Sequence, residues 1–270
     1  MRDVPEQVYA AYAVLKRDVL VFLSYRARLV TTLFSLFFTL TLFHFLSRLV
    51  RVSSFPTPDD YYAYAVVGLI ILQVLTSTLS VPQGSLRQEL VAGTYERFVL
   101  SPFGAVKATL STLLFPLLWA LAAGIAMLAF AQLAFGVKLQ WNTIPLVIPL
   151  GLLGALSFAP FGIFFLALAV MTRQALAGAN YVIAGISLIA GLYFPVSLLP
   201  DWAQWITQVQ PFTPAVDLMR YVMVGTHLHQ VWWFEVLKLV GFSLVLLPLS
   251  IQALRFAIHF SLRRGTVLEY

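Results

Sequence analysis

The 270-residue chain is 60% hydrophobic and only 10% charged, with a mean hydropathy of +0.88. Soluble domains carry about 25% charged residues, so this composition excludes one and specifies an integral membrane protein. The net charge of +6 records orientation in a bilayer rather than a nucleic-acid footprint, and zero cysteines exclude disulfides and thiolate metal sites.

The first 28 residues place Val8, Tyr12, Leu15, Val19 and Phe22 on one face, with Lys16, Arg17 and Asp18 between them. That spacing predicts a helix lying along the membrane surface, since so short a piece cannot bury a core of its own. No short apolar core with a small-residue cleavage site precedes it, so the first span is expected to act as the targeting signal. A six-span domain then occupies residues 29–258, and 259–270 form a tail. Span one runs from Leu29 to Ser47, closed by Arg48 and Arg51, and Ser53 to Asp60 reads as a Pro-rich turn. Span two covers Tyr61 to Val81. Span three covers Ala108 to Val137, with Pro116 as a kink, and span four runs from near Pro145 to Met171. Span five covers Gln174 to Leu199, with Gly178, Gly185 and Gly191 expected to allow close helix contacts, and span six runs from Val236 to Ile258.

Placing the N-terminus in the cytoplasm puts twelve of the 17 Lys and Arg on that side and leaves Arg48, Arg51, Lys138, Arg220 and Lys238 outside. The positive-inside rule selects this orientation, with both termini cytoplasmic.

Two stretches break the apolar pattern. Residues 84–103 hold Arg87, Glu89, Glu96 and Arg97, and charges of this density do not lie in hydrocarbon. Leu86, Leu90, Phe98 and Leu100 recur among them at roughly helical spacing, Gly93-Thr94 marks a break, and Ser101-Pro102 a stop. The pattern fits a pair of short surface helices, or simply a solvated connection. Residues 200–235 combine Asp201, Trp202, Trp205, Pro211, Pro214, Asp217, Arg220, Trp232 and Trp233, with apolar pieces too short to cross. Two helices that dip into the outer leaflet and return would satisfy both features.

The string formed by Glu89, Leu90, Gly93, Thr94, Glu96, Ser101 and Pro102 resembles the cytoplasmic loop of type-2 ABC transporter permeases. The stretch from Gly191 through Pro195, Pro200, Asp201 and Trp202 to Pro211, Pro214, Asp217 and Arg220 is similar to the end of span five and the re-entrant helices of the same family. The resemblance implies an all-helical permease of a prokaryotic cell (inner) membrane. Residues 84–103, with Glu89, Gly93, Thr94, Glu96, Arg97 and Pro102, would form a coupling helix docked on a separate ABC ATPase, and Pro195 to Arg220 an extracytoplasmic gate. It also implies a dimer of permease halves exporting drugs, lipids or lipid-linked polysaccharides, with ATP and magnesium bound on the partner.

The residues themselves agree in several respects. No phosphate-binding P-loop is present, because the nearest match, Gly104 to Thr109, lacks the leading glycine and opens a span. A carrier driven by protons or sodium usually needs an intramembrane Asp, Glu or His, and of these only His44 lies well within a span, near its outer end. His227 and His229, without cysteine or paired carboxylates, read as loop residues rather than metal ligands. Asp217 and Arg220 share a helix face and can pair, and Glu89 and Glu96 can reach either ATPase cations or Arg87 and Arg97. Aromatics such as Phe34, Phe38, Tyr64 and Tyr193 are expected mostly to face lipid or pack. A route without fixed charge suits amphipathic or lipid-like cargo. The alternatives are polysaccharide or glycolipid export and, in another class, a membrane-embedded enzyme or scaffold.

Overall fold

A computed structural model describes residues 3–50, 55–140, 142–172, 176–228 and 230–263, and all regular structure among them is helical. The chain opens with α1 (Asp3–Ser24) and α2 (Arg26–Leu49), followed by α3 (Pro58–Leu79), α4 (Val81–Val91) and α5 (Tyr95–Leu100). Next come α6 (Ala105–Ser111), α7 (Leu114–Phe135) and α8 (Val147–Thr172). The last third holds α9 (Leu176–Ile189), α10 (Asp201–Val209), α11 (Phe212–Val224) and α12 (Trp232–Arg263).

Among the described residues, five helical stretches are long and apolar enough to cross a membrane: α2, α3 continued into α4, α6 continued into α7, α8 and α12. The expected span five is described from Leu176 onward, where α9 covers 14 residues, a rise of about 21 Å against ~30 Å of hydrocarbon, and Gly191 at φ +70° turns the chain just after it.

Local chemistry moves several other boundaries. The last three residues of the expected Pro-rich turn are already helix, because Thr57 and Asp60 close a capping box, Pro58 occupies the first turn and Asp59 and Asp60 face the helix dipole. Span three begins at Ala105 and breaks at Thr112–Leu113. There Pro116 offers no N–H to the Thr112 carbonyl, and the backbone tightens to i+3 bonds from Thr112 to Thr109 and from Leu113 to Leu110. The first residues of the expected tail, 259–263, continue α12 as helix.

α3 sits at the centre. Most of its length is buried, with Ala65, Val66 and Leu75 fully covered, whereas α2 leaves Phe34, Phe38 and Phe45 exposed as a lipid-facing helix does. α8 and α12 form the most extensive helix pair, joined at mid-depth where the Ser157 hydroxyl bonds the Leu239 carbonyl and the Ser243 hydroxyl, each at 3.0 Å. The glycines that permit close approach are not the expected ones. A Cβ on Gly178 or Gly185 meets open space, whereas one on Gly68 falls 1.8 Å from the Leu192 carbonyl oxygen, and one on Gly162 falls 2.3 Å from that of Thr78.

Candidate functional site

The charged stretch is anchored to the bundle rather than dangling from it. α4 continues the line of α3 after a slight break at Ser80, so the 34 residues from Pro58 to Val91 form one strut of about 50 Å. Leu86 and Leu90 on its inner face pack into a cluster with Leu166 and Val170 of α8 and Leu254 and Ile258 of α12. At the tip the chain reverses through Gly93, whose φ of +68° only glycine adopts without strain. Tyr95 then plunges back to 1% exposure and shares a 3.1 Å hydrogen bond with the Thr109 hydroxyl of α6. Burial pushes the Tyr95 phenol up, so it remains a neutral hydrogen-bonding group. Pro102 lies exposed in the turn that follows α5, where the Ser101 hydroxyl accepts from the Phe103 N–H.

Glu89 does not pair with Arg87. Its carboxylate accepts from the Thr94 hydroxyl and lies 3.0 Å from the Arg17 guanidinium of α1, which also holds Asp18 at 2.8 Å. The ion-pair cluster therefore joins the surface helix α1 to the tip of the strut. Burial raises the Asp18 carboxyl above its ordinary value, with Arg17 opposing and Glu89 adding to the shift. A cavity of about 530 Å3 opens beside the cluster, lined by Arg28, Gln88 and Arg97 and floored by Phe22, Phe115 and Pro116. Val91 and Leu100 stand 59% and 83% exposed, so Leu100 does not join the packed face its spacing suggested. The side chains of Glu96 and Phe98 lie outside the described residues.

At the other end of α3, Arg220 of α11 is 1% exposed. It donates to the Leu192 carbonyl at 2.9 Å and to the Tyr64 carbonyl at 3.3 Å, and its guanidinium lies over the Tyr64 ring, 3.3 Å from the centroid. Asp217 is a more distant partner at 4.0 Å. The Tyr64 hydroxyl closes the knot by donating to the Gly191 carbonyl at 3.2 Å. Around it, Pro195 starts the 3-10 turn Val196–Leu198, Pro200 caps α10, Pro211 precedes α11, Pro214 is buried within α11 and Trp202 is 67% exposed.

The chain matches the family described as ABC-2 family transporter protein over residues 44–251, well over half its length. It belongs to that family. It is thus the multi-pass membrane component of an ABC transporter, which works with an ATPase partner. A search of curated proteins finds no match. The matched region takes in both ends of α3 and everything between them. Among the described residues no group of His, Cys, Asp or Glu is arranged to hold a metal; His227 is exposed and His229 lies outside them.

Arg17, Tyr95 and Tyr64 carry these two junctions and were not singled out as sites by sequence reasoning. Arg17 and Tyr64 lie in ordinary amphipathic or apolar runs and reach partners far along the chain, whereas Tyr95 sits inside the charged stretch without a charge to mark it.

Proposed function

We propose that this chain is one permease half of an ATP-driven exporter, acting as a homodimer with a separate ATPase on each half. Its cargo is an amphipathic drug or lipid-like molecule leaving the cytoplasm or inner leaflet. The observation that carries the reading is the strut from α3 into α4, which ends in an anchored charged tip. Force applied at Val91, Arg97 and Leu100 enters a segment fixed to α8 and α12 by Leu86, Leu90 and Tyr95. Such a segment passes movement into the spans, whereas a floppy loop would absorb it. In this reading residues 84–103 are the coupling helix, and α10 and α11 are the re-entrant extracytoplasmic helices.

Six passes fit the contacts of α9. The Ser80 hydroxyl donates to Asn180 near the charged end, and the Tyr64 knot holds Gly191 and Leu192 at the other, so the short helix plus its turn covers the same depth as α3. The orientation follows from the cation bias, with both termini in the cytoplasm of a prokaryotic cell (inner) membrane. Lipid-like cargo is supported by a seam of about 140 Å3 between α3, α7, α8 and α11, lined by Ile70, Val74, Leu121, Leu128, Phe158 and Met219. It offers alkyl surface and a single aromatic ring, not the stacking platforms a polysaccharide would use.

The test is co-purification of the native permease with its ATPase in detergent, followed by ATP-driven efflux from reconstituted vesicles. Wild type retains the ATPase, and Leu100→Glu with Arg97→Glu releases it while the permease still runs as a folded species. Transport by the permease alone, or retention of the ATPase by the double variant, overturns the reading.

A further inference from the structure

The cavity beside the charged tip is a gap between α1 and the strut. α1 packs chiefly against α6, α2 and α7, and the Arg17–Glu89 ion pair bridges it to α4. The space left between them, about 530 Å3, lies within the range of about 300–1,000 Å3 that small-ligand sites occupy. Its floor is apolar. Phe22 of α1 stands against Phe115 of α7 with ring centroids 5.3 Å apart, and against Trp119 one turn deeper at 4.5 Å, so an aromatic wall continues from the cavity into the bundle. An alkyl group covers such a wall better than water does.

The rim is cationic. Three arginines face two carboxylates, and the acids are already engaged: Arg17 holds Asp18 at 2.8 Å and Glu89 at 3.0 Å, and the other oxygen of Glu89 accepts from the Thr94 hydroxyl. Arg28 and Arg97 line the same cavity, are exposed, and have no ion-pair or side-chain hydrogen-bond partner among the described residues. The charges left uncommitted are therefore both positive. Arg28 stands in the first turn of α2, where that helix enters its apolar run, and Trp119 lies within the apolar stretch of α6 and α7. The cavity thus runs from the charged surface to the start of the hydrocarbon, which is the depth of a lipid headgroup.

We propose that this cavity binds an anionic phosphate ester, carried on a phospholipid headgroup or on a free small molecule, with Arg28 and Arg97 on the phosphate and the Phe22–Phe115 floor under the adjoining carbon chain. The guanidinium fork matches phosphate oxygens two at a time. A zwitterionic headgroup brings an ammonium toward the same two arginines, and the carboxylates that could receive it are held by Arg17 and Thr94, so it binds more weakly. A ligand seated there fills the gap and ties the start of α2 to α5. The assignment goes beyond the exporter reading, and it is measured on the permease alone, so failure of that reading leaves it standing.

The experiment is native mass spectrometry of the full chain released from nanodiscs of equal phosphatidylglycerol and phosphatidylcholine, with and without free glycerol 3-phosphate, read on the last lipid retained as collision energy rises. Each arginine near a membrane surface favours anionic lipid about fivefold, so wild type retains phosphatidylglycerol about twenty-five-fold over phosphatidylcholine. Arg28→Gln brings that ratio to about five, and Arg28→Gln with Arg97→Gln brings it to about one. Arg26→Gln removes an exposed charge two positions away that does not line the cavity, and it leaves the ratio unchanged. Displacement of the lipid by glycerol 3-phosphate makes the phosphate ester alone the ligand; persistence of the lipid, with the preference still set by Arg28, makes the whole lipid the ligand. Equal retention of both lipids by wild type overturns the assignment, a result that needs no variant to fold. So does a loss in Arg26→Gln as large as that in Arg28→Gln, which would mark a general attraction to the charged surface rather than a site.

Discussion

The two ends of α3 are held in opposite ways. At one end Arg220 is sealed from solvent and spends its donors on the carbonyls of Tyr64 and Leu192, beside a glycine against which the backbone of Leu192 rests. At the other, Arg17 and Glu89 meet with 41% and 21% of their side chains exposed, next to an open cavity. A buried cation bonded to backbone has no alternative partner without unfolding, whereas a half-exposed ion pair exchanges with water at little cost. Under the proposed coupling role, the Arg220 end would serve as the rigid pivot and the Arg17–Glu89 contact as the adjustable joint.

The sharpest way to break this contrast is at the pivot. Arg220→Met leaves the buried Leu192 carbonyl without this donor and strips the Tyr64 carbonyl of its second bond, and is expected to cost about 3 kcal/mol. Gly68→Ala sets a Cβ against the Leu192 carbonyl, where backbone has to shift, and overpacking of this kind costs about 1–3 kcal/mol. Both appear as lowered thermal midpoints of the detergent-solubilised protein. Midpoints unchanged in both variants would show that α9 and α11 are not pinned to α3.

The tip comes next. Gly93→Ala forces a side chain into left-handed backbone at about 1–2 kcal/mol, but around its Cβ lies open space, so the cost is conformational and local. It is expected to weaken ATPase retention more than global stability. Glu89→Gln removes a screened pair and changes stability by less than about 1 kcal/mol. If α1 and the tip move together, the same change lowers ATP-driven transport, and exchanging the charges as Arg17→Glu with Glu89→Arg restores it. A pair whose exchange leaves transport at the single-variant level is not the joint.

These two regions differed also in how far they could be read in advance. The tip announces itself, because Arg87, Glu89, Glu96 and Arg97 interrupt a chain with few other charges, and Gly93 marks its turn. What sequence could not give was the partner of Glu89, which is 72 positions away in α1, and local spacing had offered Arg87 instead. The pivot was half legible. Asp217 and Arg220 stood out as charges among tryptophans and prolines, and their spacing suggested a pair, which is present at 4.0 Å; the hydrogen bonds of Arg220 to two carbonyls are what sequence patterns do not display. The end of α9 was hard to read for a related reason: an apolar run looks the same whether it stays helical or turns at a glycine. Gly178 and Gly185 were equally ambiguous, since a glycine in an apolar helix says nothing about which neighbour approaches it.

The smallest effect tests whether α1 is seated at all. Burial holds the Asp18 carboxyl above its ordinary value of 3.8, so the folded state binds that proton more tightly than the unfolded one does. The stabilisation linked to it is full below 3.8 and is lost as pH rises from there through the raised folded value. Asp18→Asn carries no titrating group and lacks this slope. Thermal midpoints of wild type, measured from acid to neutral pH, are therefore expected to fall relative to those of Asp18→Asn across that window. Parallel curves would mean that Asp18 faces bulk water and that α1 floats free of the strut, leaving the Arg17–Glu89 contact without the enclosure that sets it apart from an ordinary surface pair.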